Sequence, residues 1–180
     1  MIFSVLHKYA FFIVYFLLIS INFITAQHSP EIIAHRGAKS LAPENTISAF
    51  AAAIEMGVDY IELDVRKSLD DSLMVMHDST VNRTTNFSGG LNTFTYAQLK
   101  NMDAGSYFSN HFTGEEIPTL YEVLHFARGK TKICIELKDP NIEVPAVNLI
   151  QQMNLVNDVV LFSFDLNQLQ LNYPLRQRDL

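Results

Sequence analysis

From Pro30 onward, short apolar runs alternate with amphipathic stretches, and this alternation restricts the chain to βα units built around a parallel sheet. Ile32–His35, Val58–Arg66, Leu73–His77, Lys132–Lys138 and Val159–Phe164 read as five strands. Glu44–Met56 carries Ile47, Phe50, Ala51 and Ile54 at helical spacing and closes at Gly57. Thr95–Asn101 is a short helix, and Thr119-x-x-Glu122 is a capping box that opens a helix through Arg128, stopped by Gly129. Glu143–Met153 reads as a helix with Val144, Val147 and Ile150 inward, and Asp165 caps a last helix ending before Pro174. Residues 78–118 are too long for an ordinary connection and read as a functional insertion. A closed barrel of eight βα units needs about 200 residues or more, so a chain of 180 is expected to hold only about five units.

The first 26 residues are of another kind. Their only charged side chain is Lys8, followed by the apolar run Ala10–Ile19 and then Thr25-Ala26-Gln27, the order of a secretory leader cleaved near Ala26. Ala10–Ile24 is fifteen residues, about 22 Å as a helix against a hydrocarbon core of about 30 Å. It is too short for a spanning anchor. The expectation is a leader at 1–26 and an exported domain at 27–180, periplasmic or secreted, with no stable membrane anchor after cleavage. The net charge of −6 with no basic run excludes nucleic acid as a partner, because such binding rests on neutralising phosphates with Lys and Arg. An anionic substrate must be held by a local device. Cys134, the single cysteine, lies in an apolar stretch and reads as a small buried filler.

Polar side chains gather where the strands end, which is where sites form in parallel α/β folds. Glu62 and Asp64 are two apart on a strand and leave the same face. Their flanks, Tyr60-Ile61 and Leu63-Val65, mark a buried strand in which an uncompensated charge pair is costly. Glu136 repeats the arrangement between Ile135 and Leu137. Three carboxylates without cysteine make an oxygen-ligand site, suited to Mg²⁺ or Ca²⁺ rather than zinc. His35 and His77 each follow an apolar strand and place two imidazoles at one rim, able to divide acid and base roles. Arg36 offers a bidentate fork for phosphate and Lys138 a second positive point. Asp78 either orients an imidazole or serves a turn. The set points to metal-assisted phosphoryl chemistry.

These residues fall in segments that resemble the glycerophosphodiester phosphodiesterase family: His35-Arg-Gly37, Pro43-Glu-Asn-Thr46, Glu62-Leu-Asp-Val65, Val75-Met-His-Asp78 with Arg83-Thr-Thr85, Asp103-Ala-Gly-Ser-Tyr-Phe108, Gly114-Glu-Glu-Ile-Pro-Thr-Leu120, Ile135-Glu-Leu-Lys138 and Phe162-Ser-Phe-Asp165. Each tripeptide is weak alone; eight in family order are specific. The resemblance implies an α/β fold, a (β/α)₈ TIM barrel, with 78–118 as the family's insertion. It also implies Glu62, Asp64 and Glu136 as metal ligands, His35 and His77 as general acid and base, and Arg36 and Lys138 as phosphate contacts. Glu44 and Asn45 are implied in the substrate pocket or just behind the ligands. The implied reaction is hydrolysis of a glycerophosphodiester to an alcohol and glycerol 3-phosphate. Two other readings stay open, a shortened non-catalytic relative and a phospholipase D-like activity on lysolipids. The family carries further strands and a late tryptophan that this chain lacks. Strands one and five are then expected to have unpaired edges, completed by an oligomer or a further C-terminal segment. Phe87, Phe94, Tyr107, Phe108 and Phe112 of the insertion either shape the alcohol pocket or pack a small subdomain.

Overall fold

Residues 29–165 are described by the computed structural model. The leader expected at 1–26 and the helix expected after Asp165 lie outside them. In chain order the elements are β1 (Ile33–His35), α1 (Ile47–Glu55), β2 (Tyr60–Lys67), β3 (Leu73–Val75), α2 (Tyr96–Lys100), α3 (Leu120–Ala127), β4 (Lys132–Leu137), α4 (Glu143–Gln152) and β5 (Val159–Phe162). The strands form one sheet in the order β1-β2-β4-β5, all parallel, with β3 added to β2. Among the described residues the sheet is open. Its edges are β1 and β5, where Ile33 and Val160 are about half exposed.

One strand departs from the expected parallel arrangement. β3 pairs antiparallel with β2, Val65 opposite Val75 and Lys67 opposite Leu73. Only residues 68–72 separate the two strands, whereas a parallel crossover needs about a dozen residues or more. The chain therefore folds straight back, with Asp71 in the left-handed region at φ 62° and the Ser68 N–H donating to the Ser72 carbonyl at 3.0 Å. Four strands, not five, carry the parallel βα succession.

Alternation along the strands sorts apolar from charged side chains. Ile61, Leu63 and Val65 of β2 and Ile133, Ile135 and Leu137 of β4 are buried with Phe50 and Ala53 of α1, Val123 and Leu124 of α3, and Ala146 and Ile150 of α4. Each fully buried side chain of this size contributes about 1.5–3 kcal/mol. The opposite face carries Glu62, Asp64, Cys134 and Glu136. Cys134 is buried, as a filler should be. On α4 the inward row is Ile142, Ala146, Ile150 and Met153, while Val144, expected inward, is exposed. Pro145 falls in that helix's first turn, where its missing N–H costs nothing.

Local chemistry sets the helix starts. Thr46 accepts from the Ala49 N–H, and Thr95 with Gln98 and Thr119 with Glu122 form reciprocal capping boxes. Residues 78–118 fold on β3 rather than hang free, since Met74 and Met76 are buried with Val81, Leu91, Leu99, Met102, Ala104 and Ile117, and Phe94 packs against them. Asp103 ties the end of this segment by accepting from the Gly105, Ser106 and Gly114 N–H groups and the Ser106 hydroxyl.

The loop after β1 is pressed onto α1. Gly37 has φ 76°, and a Cβ there would lie 2.7 Å from the Ala49 carbonyl carbon. Gly57 has nearly the same φ, 74°, but a Cβ there would meet nothing within 4 Å. Both Gly→Ala changes pay the left-handed penalty, about 1–3 kcal/mol, and only Gly37→Ala adds a backbone clash. Urea unfolding is therefore expected to show a larger loss for Gly37→Ala than for Gly57→Ala. Equal losses would refute the close approach of this loop to α1.

Candidate active site

Strand register assembles the charged face. In the parallel pairs, His35 stands opposite Glu62 and Asp64 opposite Glu136. Partners in register point to one face, as do Glu62 and Asp64, two apart. Glu62, Asp64 and Glu136 each bring a carboxylate oxygen to within 4.8 Å of the others. They are 5%, 0% and 6% exposed, so their mutual repulsion is little screened by water.

Two cations from the strand ends partly offset it. The Lys138 ammonium donates to Glu136 Oε1 at 2.7 Å and lies 3.2 Å from Asp64 Oδ1, and Arg36 Nε lies 3.4 Å from Asp64 Oδ2. The remaining satisfaction comes from the loop after β1. The Arg36 backbone N–H donates to Glu62 Oε2 at 2.8 Å, and Asn45 Nδ2 donates to Asp64 Oδ2 at 2.9 Å while Asn45 Oδ1 accepts the Asp64 N–H. Arg36 and Asn45 both sit at φ 59°, a strained conformation for residues with a Cβ, held by these bonds. Asp64 Oδ1 is buried and has no hydrogen bond, because the approach of Lys138 is badly aligned for one. A buried carboxylate oxygen without a hydrogen bond, beside two other carboxylates, is a donor set suited to a hard divalent cation.

Two imidazoles flank this cluster. Lys39 Nζ donates to His35 Nδ1 at 3.0 Å, and His35 Nε2 is 3.9 Å from Glu62 Oε2. His77 Nδ1 lies 2.7 Å from Asp78 Oδ1, which resolves the open role of Asp78 toward orienting the ring. Glu44 does not touch the three carboxylates; it accepts from Arg36 Nη1 at 3.0 Å and is doubly bonded by Arg83. All nine residues expected at the site are thus found around one rim. Sequence reasoning assigned no role to Lys39, Arg66, Arg83 or Asp139. Arg66 donates to the His77 carbonyl at 2.7 Å and to Asp139 at 2.5 Å, and so fixes the backbone of that histidine. Arg83 stood in a quoted motif, but nothing in its local sequence names partners as distant as Glu44. Of the aromatic residues, Phe94 packs the second core, while Tyr107 and Phe108 stay over a third exposed and Tyr107 Oη accepts the Glu44 N–H at 3.1 Å.

Electrostatics separate the two kinds of acid. Burial, then the charge of Asp64, pushes the Glu62 carboxyl up to about 7. Burial works the same way on Glu44, but hydrogen bonds and charge from Arg83 and Arg36 win and hold it below the usual carboxylate range. Arg83 hydrogen bonds also hold Asp78 well below that range. Burial lowers His35, helped by the nearby Lys39 and Arg36 charges. The neutral imidazole is favoured there. One rim thus combines three carboxylates able to hold a cation, two oriented imidazoles and an arginine and a lysine able to meet an anion, a set suited to phosphoryl chemistry.

Comparison with known proteins identifies the family. The family model of the glycerophosphoryl diester phosphodiesterase family matches residues 35–170. A glycerophosphodiester phosphodiesterase of Caldanaerobacter subterraneus is 44% identical over 140 residues, covering 74% of this chain and 58% of the relative. The crystal structure of a glycerophosphodiester phosphodiesterase from Agrobacterium tumefaciens superposes with a TM-score of 0.75 at 38% identity, over 78% of this chain and 60% of that one. A phosphodiesterase of Oleispira antarctica, solved with the product sn-glycerol-3-phosphate, superposes with a TM-score of 0.68 at 33% identity, over 74% of this chain and 56% of that one. The chain spans a little under three fifths of the length of its curated relative. The open sheet is the shared part of their TIM-barrel architecture. Matched through most of its length, in family model, sequence and fold alike, the chain belongs to the glycerophosphoryl diester phosphodiesterase family.

Proposed function

We propose that the protein hydrolyses glycerophosphodiesters to an alcohol and glycerol 3-phosphate, with Glu62, Asp64 and Glu136 holding a divalent cation, Mg²⁺ or Ca²⁺. The observation that carries this reading is the convergence of three buried carboxylates, with Asp64 Oδ1 among them lacking a hydrogen bond and meeting only the Lys138 charge. A bound cation supplies charge to polarise the phosphoryl oxygens and stabilise the transition state. Arg36 and Lys138 hold the phosphodiester from the rim, Arg36 by its guanidinium fork. Glu44 fixes that fork and Asn45 fixes Asp64. The Oleispira relative binds sn-glycerol-3-phosphate, which supports the glycerol half of the substrate. The sequence of residues 1–26 supports export of the protein, with the leader removed near Ala26.

The partners of the two imidazoles support a division of their roles. An ammonium only donates, so Lys39 requires a lone pair on His35 Nδ1, and the neutral ring then carries its proton on Nε2. An ionised carboxylate only accepts, so Asp78 requires a proton on His77 Nδ1, leaving Nε2 bare. His77 removes the proton from the attacking hydroxyl at its bare Nε2, and His35 gives its Nε2 proton to the leaving alkoxide as the Lys39 ammonium passes one to Nδ1, so that the ring stays neutral.

Two experiments test the reading. Calorimetric titration with Mg²⁺ or Ca²⁺ is expected to give saturable binding that Glu136→Ala abolishes together with hydrolysis of glycerophosphocholine. Glu62, raised to about 7, is largely protonated in the metal-free protein below that pH and must lose its proton to bind. Binding should therefore release nearly one proton at about pH 6 and little at about pH 8, with affinity falling as pH drops through this window. Proton release that does not change between these conditions removes Glu62 from the ligand set.

For the histidines, substitution by alanine is expected to lower turnover of glycerophosphocholine by about 100-fold to 10,000-fold. A glycerophosphodiester with a nitrophenyl leaving group needs no protonation on departure. His35→Ala should therefore recover most of its turnover on that substrate, and His77→Ala should not. Recovery in His77→Ala alone reverses the assignment.

A further inference from the structure

Arg83 lies outside the carboxylate cluster, yet its hydrogen bonds join the two halves of the rim. Nε and Nη2 donate to the two oxygens of Asp78 at 2.8 and 3.1 Å, and Nη1 and Nη2 donate to the two oxygens of Glu44 at 2.9 and 2.8 Å. Asp78 in turn meets His77 Nδ1 at 2.7 Å, and Glu44 accepts from Arg36 Nη1 at 3.0 Å. The guanidinium is thus the only group among the described residues that bridges the carboxylate behind the imidazole and the carboxylate behind the phosphate-facing arginine. Its side chain is 45% exposed. An isolated ion pair this exposed contributes little to stability; a bidentate network contributes more, and its distinguishing effect is geometric. What it does constrain is direction. A planar fork that engages both carboxylates edge-on leaves each with one orientation, and Lys, a point charge, cannot reproduce this.

Resting on the hydrolase reading above, we propose that Arg83 is a positioning residue that sets the ring of His77 through Asp78 and the guanidinium of Arg36 through Glu44, locking the proton-transfer and phosphate-binding groups into one register. The backbone of His77 is held separately, through Arg66 on its carbonyl, so loss of Arg83 frees the ring without releasing the strand end. Arg83 does not contact the reacting atoms. Its effect falls on turnover, because the groups that it aims act chiefly in the transition state.

The test compares Arg83→Gln and Arg83→Lys with the unaltered protein on glycerophosphocholine, with and without millimolar guanidinium, and records the nitrogen-15 shifts of the neutral His77 ring. Arg83→Gln is expected to lose about 10–100-fold in kcat, as removal of such an outer partner does, with KM changed far less. Added guanidinium should restore part of the loss. Arg83→Lys should stay closer to Arg83→Gln than to the unaltered protein. The His77 nitrogens should show the Nδ1–H tautomer in the unaltered protein and a tautomer mixture in Arg83→Gln. An Arg83→Gln protein with unaltered kcat, or with a loss that guanidinium leaves untouched and unaltered His77 shifts, overturns the proposal. If the unaltered protein itself hydrolyses no glycerophosphodiester, the hydrolase reading fails, and the His77 shifts alone then decide whether Arg83 positions the ring.

Discussion

Three carboxylates with almost no exposure, gathered on one face of a sheet, are the constraint around which the rest of this structure is arranged. Removing an ionised carboxylate from water costs several kcal/mol, and three together also repel. Here two of the charges are offset by Lys138 and Arg36, Asp64 is steadied by both ends of the Asn45 amide, and Glu62 receives only a backbone N–H and a nearby histidine. Compensation is therefore unequal, and Glu62 responds by holding its proton up to about 7. An arrangement selected for stability alone would use apolar side chains at these positions, which often match or exceed a buried charged group in stability. The cluster makes sense as a site for a cation.

That cluster dictates what the neighbouring loop must be. Arg36 and Asn45 adopt a left-handed backbone, and between them Gly37 allows the chain to lie against Ala49 of α1. The turn aims the Arg36 N–H at Glu62, the Arg36 side chain at Glu44, and the Asn45 amide at Asp64. Strain of this kind persists where the surroundings over-determine it. On the other side of the sheet, helices α1, α3 and α4 supply a dry apolar layer. A rigid base and a strained rim are thus two faces of the same alternating strands.

Much of this was legible in the sequence because a strand has period two. Ile61-Glu62-Leu63-Asp64-Val65 states which side chains go to the helices and which to the site, and Ile135-Glu136-Leu137 repeats it. What period two does not state is strand direction. Leu73-Met74-Val75 has the composition of any buried strand, and its reversal was written instead in the five residues before it, too few for a crossover. Nor did helical spacing alone place Val144, because a short amphipathic helix with Pro145 in its first turn admits more than one inward row. Long-range polar partners were the least legible. Arg66 continues the row of Glu62 and Asp64 along β2, while Arg83 and Asp139 lie in loops where no periodicity constrains them, and the partners of all three are set by the folded geometry.

The division of labour proposed for the two histidines follows from the same geometry. In the sequence the two rings look alike, each at the end of an apolar run. They differ in what stands at Nδ1, an ammonium for His35 and a carboxylate for His77. Opposite charges at the same ring atom demand opposite tautomers, so the two Nε2 atoms present a proton and a lone pair. The difference persists only while the charges behind it stay in place. Lys39 is exposed and reaches His35 within a single turn, whereas Asp78 is braced by Arg83 against Glu44. On the proposed assignment the base is braced more firmly than the acid, which fits the positioning that in-line attack on phosphorus demands.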